Sequence, residues 1–301
     1  MRDFVTVFEV GPRDGLQNES RPVSLSLKLK LVRGLITSGV REIELGAFVR
    51  PDLVPQMADT DLLFKSLDGK LGKCRAWSLV PNLKGMRRAI RAGAKNFALF
   101  TAASETFNRK NIKMSIAESL KEQKILINIA RANNMNTRGY ISTAFGCPFE
   151  GKISPSKTLK VLEKMARLGF WQISIGDTIG VATPKNVEAV LKPALRFLKP
   201  EHIAVHFHDT RGTALANTLR ALELGVRTID SSAGGLGGCP FALGASGNLA
   251  TEDLVYFLNG MGMKTGIDLD KLCGTSLEFF KRIKRPLSSK YLQAYAARHH
   301  R

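Results

Sequence analysis

Eight short apolar runs, each followed by a longer amphipathic stretch, constrain what this chain can fold into more than any other feature. The runs are Val5–Val10, Glu42–Phe48, Ala76–Val80, Asn96–Thr101, Arg138–Ala144, Gln172–Gly176, Ile203–His208 and Thr228–Ser232. Their length and their β-branched and aromatic content are those of strands. Between them Ser24–Ser38, Ser115–Asn134, Pro155–Leu168, Pro184–Leu198 and Gly212–Leu224 read as helices. Ser154-Pro155 and Thr183-Pro184 place proline in a first helical turn, and Gly39, Gly169 and Gly225 follow last turns. Strand then helix, eight times over, predicts parallel pairing through right-handed crossovers. No GxGxxG follows the first run, so a closed (β/α)8 TIM barrel is expected rather than an open doubly wound sheet. The expected division is a catalytic barrel over residues 1–262 and a C-terminal helical extension, 263–301, packed on it.

In such a barrel the functional groups gather at the C-terminal ends of the strands. The unusual residues of this chain fall at those ends. After the first run comes Gly11-Pro12-Arg13-Asp14-Gly15-Leu16-Gln17-Asn18-Glu19; the second carries Glu44, the sixth ends in Gly176-Asp177-Thr178, and the seventh in His206-Phe207-His208-Asp209-Thr210. Side chains alternate along a strand, so His206 and His208 share a face, ~7 Å apart along the chain. The first strand of a closed barrel lies beside the eighth, which lies beside the seventh, and Asp14 can therefore reach the same point. Two imidazoles and a carboxylate with room for water suit Mg²⁺, Mn²⁺ or Fe²⁺ better than a closed zinc site.

Other residues are open to more than one role. Arg13 is either the ion-pair partner of an acid or a guanidinium aimed at a developing oxyanion. Glu44 and Asp177 could orient a ligand, act as a base, or serve as buried salt-bridge partners. The glycine-rich segment 234–247 could be a closing lid or a loop that brings backbone N–H groups to an anion. Cys239 within it could donate a proton, or pack as a small apolar side chain.

Composition narrows the class. The 45 Lys and Arg against 26 Asp and Glu leave a net charge of +19, which would steer an anionic substrate or bind nucleic acid weakly. No nucleic-acid motif is present and aromatics are only 7%, so no specific nucleic-acid partner is expected. The four cysteines are scattered without a CxxC pair, which disfavours a disulfide framework and a structural zinc site. No apolar stretch approaches membrane-spanning length and the start lacks a signal core, so a cytoplasmic protein with no membrane partner is expected.

Several stretches carry a resemblance. Glu9 to Glu19, Pro81-Asn82-Leu83-Lys84-Gly85, Gly146-Cys147-Pro148-Phe149-Glu150-Gly151-Lys152, Gly176-Asp177-Thr178-Ile179-Gly180, His206 to Gly212 and Gly235 to Asn248 resemble the 3-hydroxy-3-methylglutaryl-CoA lyases, over about Val7 to Gly262. The Arg-Asp and His-x-His elements are shared with isopropylmalate and homocitrate synthases; the Gly-Gly-Cys-Pro loop is closer to the lyases. The resemblance implies cleavage of an acyl-CoA to acetoacetate and acetyl-CoA with Mg²⁺ or Mn²⁺. It implies Asp14, His206, His208 and Asn248 as ligands, Arg13 at the enolate oxygen, and Cys239 as the cysteine of the loop. Glu44 and Asp177 match further acids of the site, and His206 joins Asp14, Glu44 and Asp177 as a possible base. Gln17 is expected beside Arg13 on the substrate, and a homodimer or higher homo-oligomer is expected. Two departures, Arg211 where a tyrosine is common and Leu45-Gly46-Ala47-Phe48 where small hydroxyl residues are, bear on which acyl group is accepted. A Claisen-type synthase is the alternative, disfavoured by the short segment after Gly262. A non-catalytic nucleic-acid binder rests on charge alone.

Overall fold

A computed structural model describes residues 3–238 and 247–299. The eight barrel strands are β1 (Thr6–Glu9), β2 (Glu42–Ala47), β3 (Arg75–Leu79), β4 (Asn96–Ala102), β5 (Asn136–Ser142), β6 (Gln172–Asp177), β7 (Ile203–Phe207) and β8 (Thr228–Ser231). All pair in parallel, in sequence order, and β1 closes on β8 with Thr6 opposite Thr228 and Glu9 opposite Ser231. The barrel expected from the alternation is therefore the one formed. A two-stranded hairpin, Gly146–Cys147 with Gly151–Lys152, sits over the end of β5.

Helices pack around the outside, and their starts follow capping chemistry. Ser24, Asn82, Ser104, Ser115 and Ser154 each accept a backbone N–H from the first turn of the helix that follows. The helix after Thr183 runs Pro184–Ala194, shorter than the sequence pattern suggests. Pro193, in its last turn, has no N–H to donate and its ring crowds the carbonyl four residues back, which weakens that turn. The core is continuous from the barrel interior to the helix layer, with Ile43, Phe97, Ile141, Ile175, Val205 and Ile229 all essentially inaccessible.

Beyond the barrel's last helix, Thr251–Gly260, two more follow, Leu269–Ile283 and Lys290–His299. The first of these packs below the C-terminal end of β8. Its Phe280 ring lies so close to Gly234 (φ +61°) that a Cβ there would fall 2.2 Å from Cε2, which only glycine avoids. Among the described residues no helix is long and apolar enough to cross a membrane.

Candidate metal centre and pocket

The chain leaves β1 at Val10, whose carbonyl accepts the N–H groups of Arg13, Asp14 and Gly15 at 3.1, 2.8 and 3.2 Å. This single wide turn lifts Asp14 over the C-terminal mouth of the barrel. Across the mouth, His206 stands on β7 and His208 just past its end. Asn248 is brought alongside by a short backbone bridge between His208 and Asn248. Ligand atoms of Asp14, His206 and His208 lie within 4.8 Å of one another. The Nε2 of His206 is 4.0 Å from Asp14 Oδ2, and Asn248 Nδ2 donates to the same oxygen at 2.9 Å. The three residues expected from spacing are thus gathered at one point, with Asn248 beside them.

The electrostatics of the cluster suit a cation. Burial works against a charge on Asp14, but Arg13 and the two histidines outweigh it and hold the carboxyl well below the usual range. Burial, with His206 alongside, pushes His208 down to about 4, leaving a neutral imidazole at neutral pH. The Nδ1 of His208 and the Oδ1 of Asn248 are buried and have no hydrogen-bond partner among the described residues. Buried polar atoms in folded proteins are as a rule paired. Two bare donor atoms beside an ionised carboxylate, in a mixed nitrogen and oxygen set, fit a divalent metal ion.

Behind the cluster runs a buried polar network that the sequence reading did not single out. His206 Nδ1 is 3.3 Å from Asp230 Oδ2, which orients the ring so that Nε2 faces Asp14. Asp230 also binds Arg138 through both oxygens, at 3.2 and 2.5 Å, and accepts Ser174 Oγ at 2.8 Å. Arg138 donates to Tyr140 Oη at 2.7 Å, and Tyr140 donates to Glu44 Oε2 at 3.2 Å. Glu44 Oε2 receives Arg13 Nε at 2.7 Å, and Arg13 Nη1 reaches Asp14 Oδ1 at 2.5 Å. Burial opposes the charge on Arg13, yet Glu44 and Asp14 outweigh it and raise its pKa further. Burial raises that of Glu44 in spite of Arg13, and its Oε1 has no hydrogen-bond partner among the described residues. The one signal in the sequence was a pair of charged residues, Arg138 and Asp230, inside otherwise apolar strands.

The mouth opens into a pocket of about 470 Å³. Arg13, Asp14, Gln17, Tyr140, His206 and His208 line its inner end; Arg50, Asn111 and Lys113 line the outer part. Asp177 is placed differently from the other predicted acids. Its two oxygens accept the N–H groups of Val181 and Ala182 at 3.0 and 2.8 Å, so the carboxylate holds the turn after β6, whose Thr178 lines the pocket. Neither Gly46, Ala47 nor Arg211 lines the pocket; a Cβ at Gly46 would lie 2.5 Å from Thr60 Oγ1. Arg211 donates to the carbonyls of Ile179 and Gly180, both at 2.9 Å. Cys239 lies outside the described residues.

Two further buried acids anchor the base of the loop that carries Cys239. Glu9 accepts Gly11 N at 2.7 Å, Ala233 N at 3.0 Å and Thr251 Oγ1 at 2.7 Å. Glu252 accepts Gly234 N at 2.7 Å and the hydroxyl of Ser276. Burial outweighs these hydrogen bonds and raises Glu9 from 4.5 to about 7 and Glu252 from 4.5 to about 8. Each therefore keeps its proton in the folded chain at pH values where the unfolded chain has lost it. The contribution of these two acids to stability is then fully present below about pH 4.5 and is lost as pH rises through their folded pKa values of about 7 and 8. Thermal melts between pH 6.5 and 8.5, above the range where neutral His208 acts in the opposite sense, should show Tm falling with pH, and Glu252→Gln, which cannot ionise, should flatten the slope. Equal slopes in the two proteins would mean that Glu252 is ionised throughout.

The site can be set beside known proteins. The HMGL-like family model matches residues 5–277. The mitochondrial hydroxymethylglutaryl-CoA lyase of Macaca fascicularis is 48% identical over 290 residues, 96% of this chain and 89% of that protein. The solved Bacillus subtilis HMG-CoA lyase superposes with a TM-score of 0.95 at 42% identity, covering 98% of both chains. An HMG-CoA lyase from Acinetobacter baumannii, solved with coenzyme A and 3-methylmalate, gives 0.93 at 38% identity over 98% of this chain and 96% of that one. The match takes in the turn bearing Asp14 and the strand bearing both histidines, and by its extent and identity the chain belongs to the HMGL-like family.

Proposed function

We propose that the chain cleaves 3-hydroxy-3-methylglutaryl-CoA, or a close homologue, to acetoacetate and acetyl-CoA. The observation that carries this reading is the Asp14–His206–His208 cluster with Asn248 Oδ1, which has no partner among the described residues, in a pocket that also holds the Arg13 guanidinium. Mg²⁺ or Mn²⁺, held by Asp14, His206, His208 and Asn248, would supply a Lewis acid for hydroxyl and carboxylate oxygens of the substrate.

The remaining work falls to side chains. Arg13, kept charged by Glu44 and Asp14, is positioned to stabilise the enolate oxygen as the carbon–carbon bond breaks. The tertiary hydroxyl must give up a proton, and Asp14, Glu44 and His206 are the groups within the network that could take it. Asp177 is the weakest of the four acids and bases considered, because both its oxygens are engaged by backbone N–H groups. Cys239 would return a proton to the enolate carbon. Gln17 lines the substrate end, and Arg50 and Lys113 at the outer end suit a polyanionic thioester such as CoA. We place the reaction in the cytoplasm.

A thioester cleavage assay with and without EDTA tests the reading. Chelation should abolish turnover and added Mg²⁺ or Mn²⁺ should restore it. Cys239→Ala should lose activity by about 10²- to 10⁴-fold, the range for a lost proton-transfer group, while still binding metal. Full activity in EDTA would sink the metal mechanism; inertness toward this substrate with activity on a homologue would move the acyl specificity.

A further inference from the structure

One wall of the pocket is built from two loops. Gln17 and Asn18 come from the segment that runs on from the β1 turn to the helix Leu25–Thr37; Val49, Arg50, Leu53 and Val54 come from the segment after β2. Among the described residues no backbone–backbone hydrogen bond joins the two segments. The hydrogen bonds that do join them come from one side-chain amide. Gln56 lies in the single turn Pro55–Met57 that ends the second loop, and it is buried. Its Nε2 donates to the carbonyls of Glu19 and Arg21 at 2.8 and 2.6 Å, and its Oε1 accepts Val23 N at 3.2 Å. Both ends of the amide are thus engaged by alternate residues of the opposite segment. Carbonyls face the nitrogen and an N–H faces the oxygen, so the partners themselves fix which way the amide points.

A buried lysine seats Gln56. Lys28, on the helix Leu25–Thr37, is 3% exposed, and its ammonium donates to the backbone carbonyl of Gln56 at 2.5 Å and to Asp59 Oδ1 at 2.6 Å. Lysine is almost never fully buried unless it is paired, and here both partners belong to the second loop and the residues just after it. Helix, turn and extended segment are closed on one another by this latch. The metal cluster and Arg13 are held by a different set of contacts, through Asp230, Arg138, Tyr140 and Glu44. Loops with few backbone hydrogen bonds open locally at low cost, so a tie between them bears on the pocket wall before it bears on the barrel.

We propose that Gln56 is a positioning residue for the thioester: with Lys28 behind it, it sets Gln17 and Asn18 on one loop against Arg50 on the other, so that the wall is formed before the substrate arrives. This inference rests on the reading of the pocket as a CoA thioester site given above. Without the latch the two loops are ordered only when the ligand binds, and the cost of that ordering is subtracted from the affinity. The chemical step is left nearly unchanged, because the bound ground state and the transition state lose the same contact.

The test uses the full chain with Mn²⁺ and compares wild type, Gln56→Met and Lys28→Met. Gln56→Met keeps the length of the side chain and removes the amide's hydrogen bonds to Glu19, Arg21 and Val23. It should raise KM and weaken coenzyme A binding, measured by calorimetry, by about 10-fold, with kcat within about 3-fold of wild type. Mn²⁺ affinity should not change. Lys28→Met leaves the amide in place and should act in the same sense to a smaller extent. Hydrogen exchange should quicken at the Val23 amide in Gln56→Met, while amides in the middle of the helix Leu25–Thr37 keep their protection; saturating coenzyme A should slow Val23 again. Wild-type KM and coenzyme A affinity in Gln56→Met, with Val23 exchanging faster, would overturn the proposal. A loss of kcat or of Mn²⁺ affinity as large as the rise in KM would make the latch a matter of stability alone and overturn it too. Should Gln56→Met not fold, Lys28→Met decides: a raised KM with wild-type kcat supports the proposal, and an unchanged KM overturns it. Failure of the wild type to bind coenzyme A would overturn the reading of the pocket and this inference with it.

Discussion

Replacing His208 with alanine is expected to lower thioester cleavage by about 10³-fold, the rate equivalent of the several kcal/mol that a bound metal contributes as a Lewis acid. The argument starts from what His208 has and lacks. It is 4% exposed, its pKa is pushed down to about 4 by burial, and its Nδ1 has no hydrogen-bond partner among the described residues. A neutral imidazole in that state contributes little to folding through hydrogen bonding, so its removal should leave the melting temperature of metal-free protein close to wild type. Metal uptake should be the quantity that falls. Equilibrium dialysis against Mn²⁺ and a melt in EDTA separate the two effects. Wild-type Mn²⁺ affinity in His208→Ala would remove the imidazole from the ligand set, whatever the rate did.

Much of this architecture was legible in the sequence because two periodicities dominate it. Runs of β-branched residues at strand length alternate with amphipathic stretches, and closure of β1 on β8 follows from eight such repeats. The His-x-His spacing was readable for the same reason: alternation along β7 sends His206 and His208 to one face, and closure brings Asp14 to them. What was not readable is long-range pairing. Asp177 stands at a strand end as the spacing implies, but that its oxygens accept the N–H groups of Val181 and Ala182 is a local contact that no spacing rule predicts. Gly46 and Arg211 stand out in the sequence as departures, and their neighbours, Thr60 for the one and the Ile179 and Gly180 carbonyls for the other, were not legible there.

The network behind the cluster explains how a metal centre can be held steady by a barrel made of short strands. Two of the four candidate ligands are each fixed by a partner that is itself fixed: His206 by Asp230, and Asp230 by Arg138 and Ser174; Asp14 by Arg13, and Arg13 by Glu44. The chain of contacts returns through Tyr140, which bonds both Arg138 and Glu44. Such a closed path leaves few side-chain rotations free, so the site is ordered before substrate arrives.

Asp230→Asn tests that path at its most exposed point energetically. Arg138 and Asp230 are each fully inaccessible, and burial opposes the charge on both. Asparagine keeps the shape but removes the charge, stranding the Arg138 guanidinium in the barrel core. Breaking a buried pair from one side costs about 3–5 kcal/mol, because the remaining charge is left uncompensated. The same change turns one acceptor oxygen into an amide donor, so that Arg138, Ser174 and His206 compete for the one oxygen left, and weakening of such a partner lowers metal affinity by about 10- to 100-fold. Denaturant melts of metal-free protein should show the first effect and Mn²⁺ titration the second. The double variant Arg138→Met with Asp230→Asn should recover much of the stability, since no charge is then stranded, but none of the metal affinity. If stability and metal affinity returned together, orientation of His206 by Asp230 would have to be given up, and the network would be a matter of charge balance alone.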